Sequence, residues 1–258
     1  MTMRFFKRNI LDQNTSMSAT SANTALMTNL YDNDTEAKLP SIGSNDATPE
    51  EWVFDFGTSK IIDAIQVANH NIKSGKIEYW NGSAYVDFST PIAWSANSAA
   101  DNYFSFTQVV TTKIKVKMDT TIVVNAQKYI GELRFLQLIG SLLQAPSKFD
   151  ISFIEKTKDL TLDNGGSLSV FFGESAQIKM SLNDVNSTDA ALLRTIKNYR
   201  TQFYIYPNGG SDTVTWHEGL RVRDMYLVNW VSDFMFKLPS GHLTNSIVGM
   251  DITLKEVV

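Results

Sequence analysis

The stretch Glu51-Trp52-Val53-Phe54-Asp55-Phe56-Gly57-Thr58-Ser59-Lys60-Ile61-Ile62-Asp63-Ala64-Ile65-Gln66-Val67-Ala68-Asn69-His70-Asn71 decides the fold class. Trp52, Phe54 and Phe56 alternate with Val53 and Asp55, so an extended chain puts three aromatics on one face. The spacing predicts two strands joined by a Gly57-Thr58-Ser59 turn, the second carrying Ile61, Ile65 and Val67. Such a face is either the inner wall of a sandwich or the scaffold of a binding module.

The period of two continues outward. Lys76–Trp80 and Tyr85–Phe88 flank Asn81-Gly82-Ser83-Ala84, and Asn-Gly readily adopts positive φ, so this predicts a hairpin. In Lys113-Ile114-Lys115-Val116-Lys117-Met118 the apolar residues face inward and the three lysines outward. Tyr129-Ile130-Gly131-Glu132-Leu133-Arg134-Phe135 reads as a further strand. No helix of convincing length precedes residue 140, so the first part is an all-β sandwich. Residues 10 to 30, rich in Asn, Ser, Thr and Ala, read as an irregular surface segment.

Gln144-Ala145-Pro146-Ser147 is the expected domain boundary, because proline biases its predecessor toward extended structure. Domains of 1–140 and 147–258 follow from it. Beyond it, Phe149–Phe153, Ser167–Phe172, Gln202–Tyr206, Asp224–Trp230 and Ser246–Leu254 read as strands. Residues 187–200 read as one helix, capped by Ser187 or Thr188, with Leu192, Ile196 and Tyr199 on the packed stripe. The fold class is mainly β: a jelly-roll sandwich followed by a β-sandwich with one helix.

Composition narrows the function classes. Apolar residues make up 43% and aromatics 11%, enough to fill real cores. Lys and Arg number 23 against 27 Asp and Glu, a net charge of −4, and no basic stripe suggests nucleic acid as a partner. There is no cysteine, which excludes disulfides and thiolate metal sites. The N-terminal residues show no secretory pattern. The most apolar window, Phe135–Leu143, is shorter than the roughly 20 residues a spanning helix needs, so no membrane insertion is expected.

Four segments resemble the discoidin-like family, also called galactose-binding-like, in that family's order. Asn29-Leu30-Tyr31-Asp32-Asn33-Asp34 is similar to its Asn-Leu-x-Asp-Gly-Asp turn, and Glu51–Gly57 to its Trp-x-x-x-Asp-Leu-Gly strand. Glu78–Asp87 is similar to its Tyr-Ser-x-Asp-Gly-x-x-Trp hairpin, and Tyr129–Phe135 to its closing strand. The resemblance implies a jelly-roll core for the aromatics and a sugar or other surface ligand held by loops. His70, Asn71, Trp80 and Trp94 are the candidate ligand residues. Two departures weaken a sugar site: Tyr85 stands where tryptophan is usual, and Asn69–Ser74 carries no arginine. The resemblance also implies calcium near Asp32, Asp34 and Glu36, although the spacing is not that of an EF-hand.

The C-terminal half resembles phage tail-tube-like and baseplate proteins in its sandwich-plus-helix pattern, its Tyr206-Pro207-Asn208-Gly209-Gly210 turn and its Arg221–Tyr226 segment. That resemblance implies a structural subunit of a virion tail, made in the host cytoplasm, with other tail proteins as partners and a homo-oligomeric ring. The first domain would then make subunit contacts or touch a host glycan, and the polar N-terminal segment would wrap over a neighbouring subunit. The alternative is a free carbohydrate-binding module. A hydrolase has little to recommend it. The histidines His70, His217 and His242 have no ligand spacing, and no nucleophile elbow or P-loop occurs. His217-Glu218 reads as a surface turn, so no enzymatic activity and no organic cofactor are expected.

Overall fold

The computed structural model describes residues 3–34, 36–42, 48–143, 146–161, 167–183, 185–207, 225–233 and 249–257. In chain order its strands are β1 (Arg4–Lys7), β2 (Ser16–Ala19), β3 (Leu39–Pro40), β4 (Glu50–His70), β5 (Ile72–Trp80), β6 (Tyr85–Trp94) and β7 (Asn102–Thr121). They continue with β8 (Tyr129–Leu136), β9 (Leu138–Ser141), β10 (Lys148–Thr161), β11 (Ser167–Asn183), β12 (Phe203–Tyr206), β13 (Tyr226–Trp230) and β14 (Gly249–Glu256). One α-helix, α1 (Ser187–Asn198), lies between β11 and β12. The chain forms two compact units, Arg8–Leu138 on the one hand and Met1–Lys7 with Ile139–Val258 on the other.

In the Arg8–Leu138 unit, β4 and β7 are long enough to serve two layers. Glu50–Asp55 pairs with Lys113–Met118, whereas Lys60–Val67 pairs with Thr111 back to Asn102. The first pairing continues into β2 on one side and β5–β6 on the other. The second continues through β8 to β3. Between them the register shifts, Gly57 adopts φ 67°, and the Asp55 carboxylate accepts the Gly57 N–H at 2.9 Å. Left-handed backbone there suits glycine. The Gly57-Thr58-Ser59 segment is therefore a bend within one strand, not a turn between two. The antiparallel neighbour β7 runs alongside both halves, so the chain never reverses.

The alternating aromatics face inward. Trp52, Phe54 and Phe56 are buried, and Phe135 of β8 meets Phe54 and Phe56 edge-on at centroid distances of 5.5 and 5.7 Å. Because Phe135 pairs with the far half of β4, these rings join the two layers. Trp52 donates its indole N–H to the buried Glu50 carboxylate at 3.0 Å, so its one polar atom is satisfied. Ile114, Val116 and Met118 are fully buried while Lys113, Lys115 and Lys117 stay partly exposed, as their alternation predicts. In the β5–β6 turn Asn81 Oδ1 accepts the Ser83 and Ala84 N–H groups, and Gly82 alone takes the positive φ, 104°.

The polar N-terminal segment is not a free wrapping arm. Strand β1 joins the other unit's sheet beside β12, so the expected 1–140 domain loses its first residues. Next, Ile10, Leu11, Met27 and Leu30 enter the sandwich core from two short 3-10 turns. Asn9 fixes the first turn, donating to Leu133 O at 2.8 Å and accepting from Phe135 N at 3.0 Å. The sequence hides this because the buried residues are sparse among polar ones. The two compact units divide between Leu138 and Ile139, beside the expected end of the first domain at residue 140.

The other unit is built on a seven-stranded sheet of order β10-β11-β14-β13-β12-β1-β9. Helix α1 is capped by Asn186 rather than Ser187 or Thr188: its side-chain oxygen accepts the Asp189 N–H at 2.8 Å. Asp189 in turn accepts the Leu143 N–H at 2.9 Å. The buried face is Ala190, Leu193 and Ile196, whereas Leu192 and Tyr199 of the expected stripe are only half-buried. Gly140 of β9 leaves the room Leu192 occupies, since a β-carbon there would meet the leucine side chain. β10 and β11 pair along their length, but β14 joins β11 only over Gln177–Asn183. Among the described residues, the rest of that hairpin is a two-stranded arm.

Candidate functional site

The structure does not bring His70, Asn71, Trp80 and Trp94 into one site. His70 ends β4 and Trp94 ends β6, and their rings stand 5.4 Å apart at one end of the sandwich. Trp80 closes β5 at the opposite end, five residues beyond Gly75, the strand partner of Trp94, and so roughly 17 Å from it along the strand.

The His70 end is sealed. His70, Asn71 and Trp94 are 1%, 6% and 4% exposed. The imidazole Nδ1 accepts the Ile72 N–H at 3.0 Å, which leaves Nε2 to carry the proton and donate to Asn102 Oδ1 at 2.7 Å. The Trp94 indole donates to that same oxygen at 2.7 Å. Burial pushes the His70 pKa below its ordinary value, against the opposing pull of the Asn102 bond and the Asp101 charge. Asn71 donates to Gln127 O at 2.7 Å and accepts from Tyr129 N at 3.0 Å, tying the β7–β8 connection to the end of β4. These residues hold loops together and show no face to a ligand.

The acidic turn beside this end is also internally engaged. Asp32 accepts the Asp34 N–H at 2.9 Å, and Asp34 accepts the Glu36 N–H at 3.0 Å. Buried Glu132 accepts the Asn33 N–H at 2.6 Å and lies 3.1 Å from the Arg134 guanidinium. Burial nevertheless dominates, pushing the Glu132 carboxyl up to about 7 over the opposing Arg134 charge. Among the described residues, no group of three metal-ligating side chains is placed to hold an ion. Asp32 and Asp34 thus act as acceptors within their own turn, and Glu36 enters it through its backbone N–H.

The Trp80 end is open and mixed in chemistry. Trp80 and Tyr85 face each other across the β5–β6 pair, edge to face at 5.2 Å, and both are half-buried. The Lys115 ammonium lies 4.8 Å from the Tyr85 ring centroid. Lys115 also pairs with Glu78 at 2.9 Å, and Lys113 pairs with Asp55 at 2.7 Å. Burial opposes ionisation of Glu78, yet Lys76 and Lys115 together hold its carboxyl below the usual range. Burial raises the Tyr85 hydroxyl, so it remains a neutral donor and acceptor at neutral pH. An aromatic pair ringed by fixed charged groups can stack on an apolar ligand face and hydrogen-bond its edge. Tyr85, Lys113 and Lys115 complete this surface: the lysine alternation already places Lys113 and Lys115 on the outer face, but nothing local brings Tyr85 of β6 beside them. His217, Glu218 and His242 lie outside the described residues.

No protein-family model and no curated protein matches the sequence. Solved structures similar to about half of the chain include carbohydrate-binding modules of galactose-binding-like fold and parts of larger chains, among them a putative alpha-L-fucosidase from Bacteroides thetaiotaomicron. Chitosan-binding module 1 of a Paenibacillus sp. IK-5 chitosanase/glucanase is 14% identical, with 49% of this chain and 96% of that one covered at a TM-score of 0.41. CpGH89CBM32-6 of Clostridium perfringens is 17% identical over 50% of this chain and 98% of its own, with a TM-score of 0.39. CpGH89CBM32-5, solved with GalNAc-β-1,3-galactose, is 14% identical over 50% and 99%, with a TM-score of 0.41. At such identities the site residues of one chain cannot be read onto the other.

Proposed function

We propose that this chain is a non-enzymatic attachment protein whose Arg8–Leu138 sandwich binds carbohydrate on the Trp80–Tyr85 platform. The observation that carries this reading is the half-buried aromatic pair set among Asp55, Lys113 and Lys115. A sugar ring offers a C–H face to Trp80 and hydroxyls to the surrounding charged groups. Chitotriose and GalNAc-β-1,3-galactose, the ligands bound by similar modules, are the probes to test first. On a glycan array the full chain is expected to bind a restricted set of glycans, and Trp80→Ala to abolish the signal. A flat array, or a signal unchanged in Trp80→Ala, refutes the platform.

A second observation favours a setting for this activity. The β10–β11 arm extends past the strand that anchors it, and beyond Ala176, whose N–H the Glu256 carboxylate accepts at 2.9 Å, no strand pairs with its outer edges among the described residues. Unpaired edges are templates for strand addition by another chain. On this reading the C-terminal unit assembles with copies of itself into a ring, as a structural subunit of a phage tail or baseplate with other tail proteins as partners. Electron microscopy of the purified chain is expected to show closed rings. A monomer at high concentration would remove this setting and leave the binding platform standing.

A further inference from the structure

The C-terminal unit holds a groove that neither reading uses. It lies where α1 ends against β12 and β13, with a volume of about 380 Å³. Typical ligand pockets begin near roughly 300 Å³, so this one suits a ligand of monosaccharide size. Ile196 and Phe203, both buried, form its apolar side, and Lys197, Asn198, Arg200, Thr201, Asn229 and Trp230 supply the rest.

One carbonyl organises the aromatic wall. Ser232 O accepts the Trp230 indole N–H at 2.9 Å and the Lys197 ammonium at 2.8 Å. The ammonium also lies 5.6 Å from the Trp230 ring centroid. The indole is thereby held in one orientation, and Lys197 is committed to holding it. The remaining polar groups are uncommitted. Among the described residues, the side chains of Asn198, Arg200, Thr201 and Asn229 make no hydrogen bond or ion pair.

We propose that this groove binds a carboxylated saccharide of the uronic-acid type. Trp230 would take the C–H face of the sugar ring, and Asn198 and Asn229 would pair with its hydroxyls. Arg200 would hold the carboxylate through two parallel N–H donors, the arrangement a guanidinium makes best. The partial negative charge at the end of α1 disfavours an anion placed directly on the axis. Arg200 and Lys197 offset that charge, and Arg200 carries the carboxylate to the side. Arg200 itself has a φ of 51°, a left-handed backbone that glycine adopts with less strain.

That backbone supplies a clean test. Arg200→Gly removes the guanidinium at a position where glycine fits, so the fold is expected to be retained with an unchanged or higher Tm. The full chain would be titrated with D-glucuronate and with D-glucose by calorimetry, following Trp fluorescence in parallel. The expected result is saturable glucuronate binding, glucose weaker by at least about tenfold, and a similar loss in Arg200→Gly, as one charge-assisted contact implies. Equal affinity for the two sugars, undiminished glucuronate binding by Arg200→Gly, or no saturable binding would each overturn the proposal.

Discussion

At one end of β5 an imidazole, an indole and a carboxamide share hydrogen bonds around Asn102 and see almost no water. At the other end an indole and a phenol lie half-buried among lysines and carboxylates that already pair with one another. The residue types are those of a ligand site in both places. The difference lies in what the polar atoms are already doing. A buried donor must find a partner within the protein, so the His70 end is committed to stability. The Trp80 end keeps aromatic surface and hydroxyl chemistry at the solvent boundary, where a ligand can replace water.

The strongest way to break this contrast is Asn102→Ala. It strands the His70 Nε2–H and the Trp94 indole N–H in a dry site, each worth about 1–3 kcal/mol, so a loss of roughly 2–6 kcal/mol is expected. Chemical denaturation checks it, with glycan binding by the surviving folded fraction unaffected. A loss under about 1 kcal/mol would mean that the His70 end is wetter than its burial implies.

The pH response sharpens the same contrast. With its folded pKa depressed, His70 makes the protein lose stability as pH falls below 6.5 toward that lower value. The slope is at most about 1.4 kcal/mol per pH unit for a single proton. Glu132 acts in the opposite sense. Its folded pKa of about 7 means that its contribution is complete below 4.5 and is lost as pH rises through 7. Stability measured against pH should therefore lose its acid-side fall in His70→Gln and its loss between pH 4.5 and 7 in Glu132→Gln. Profiles identical to that of the parent chain would show that neither group is as buried as its surroundings require.

Trp80→Ala should have the smaller effect on folding. Losing the edge-to-face pair with Tyr85 costs about 0.5–1.5 kcal/mol, beside the contacts the ring itself makes. Binding, by contrast, should vanish. A Trp94→Ala variant should reverse the pattern, with a large fall in Tm and no specific loss of binding in the folded fraction. The smallest expected effect is that of calcium. Because Asp32 and Asp34 already accept N–H groups of their own turn, we expect millimolar calcium to leave the Tm unchanged. A clear upward shift would restore the Asp32, Asp34 and Glu36 site.

Short-range chemistry made much of the fold legible. Alternation alone places Trp52, Phe54 and Phe56 inward and Lys113, Lys115 and Lys117 outward. The Asn81-Gly82 pair announces its hairpin, and the 187–198 helix shows in its periodicity and polar start. Only the tertiary structure decided what depends on partners far along the chain. Whether Gly57 ends a strand or bends one depends on β7, some fifty residues on, running beside both halves. Strand β1 belongs to the C-terminal sheet because Phe5 pairs with Ile205, a contact with no local signature. His70 and Trp94 are framework residues because Asn102 offers both of them one oxygen. Side-chain chemistry is written residue by residue, but burial and hydrogen-bond satisfaction are properties of the packed whole, and they separate a tryptophan sealed in the core from one that keeps surface at the solvent boundary.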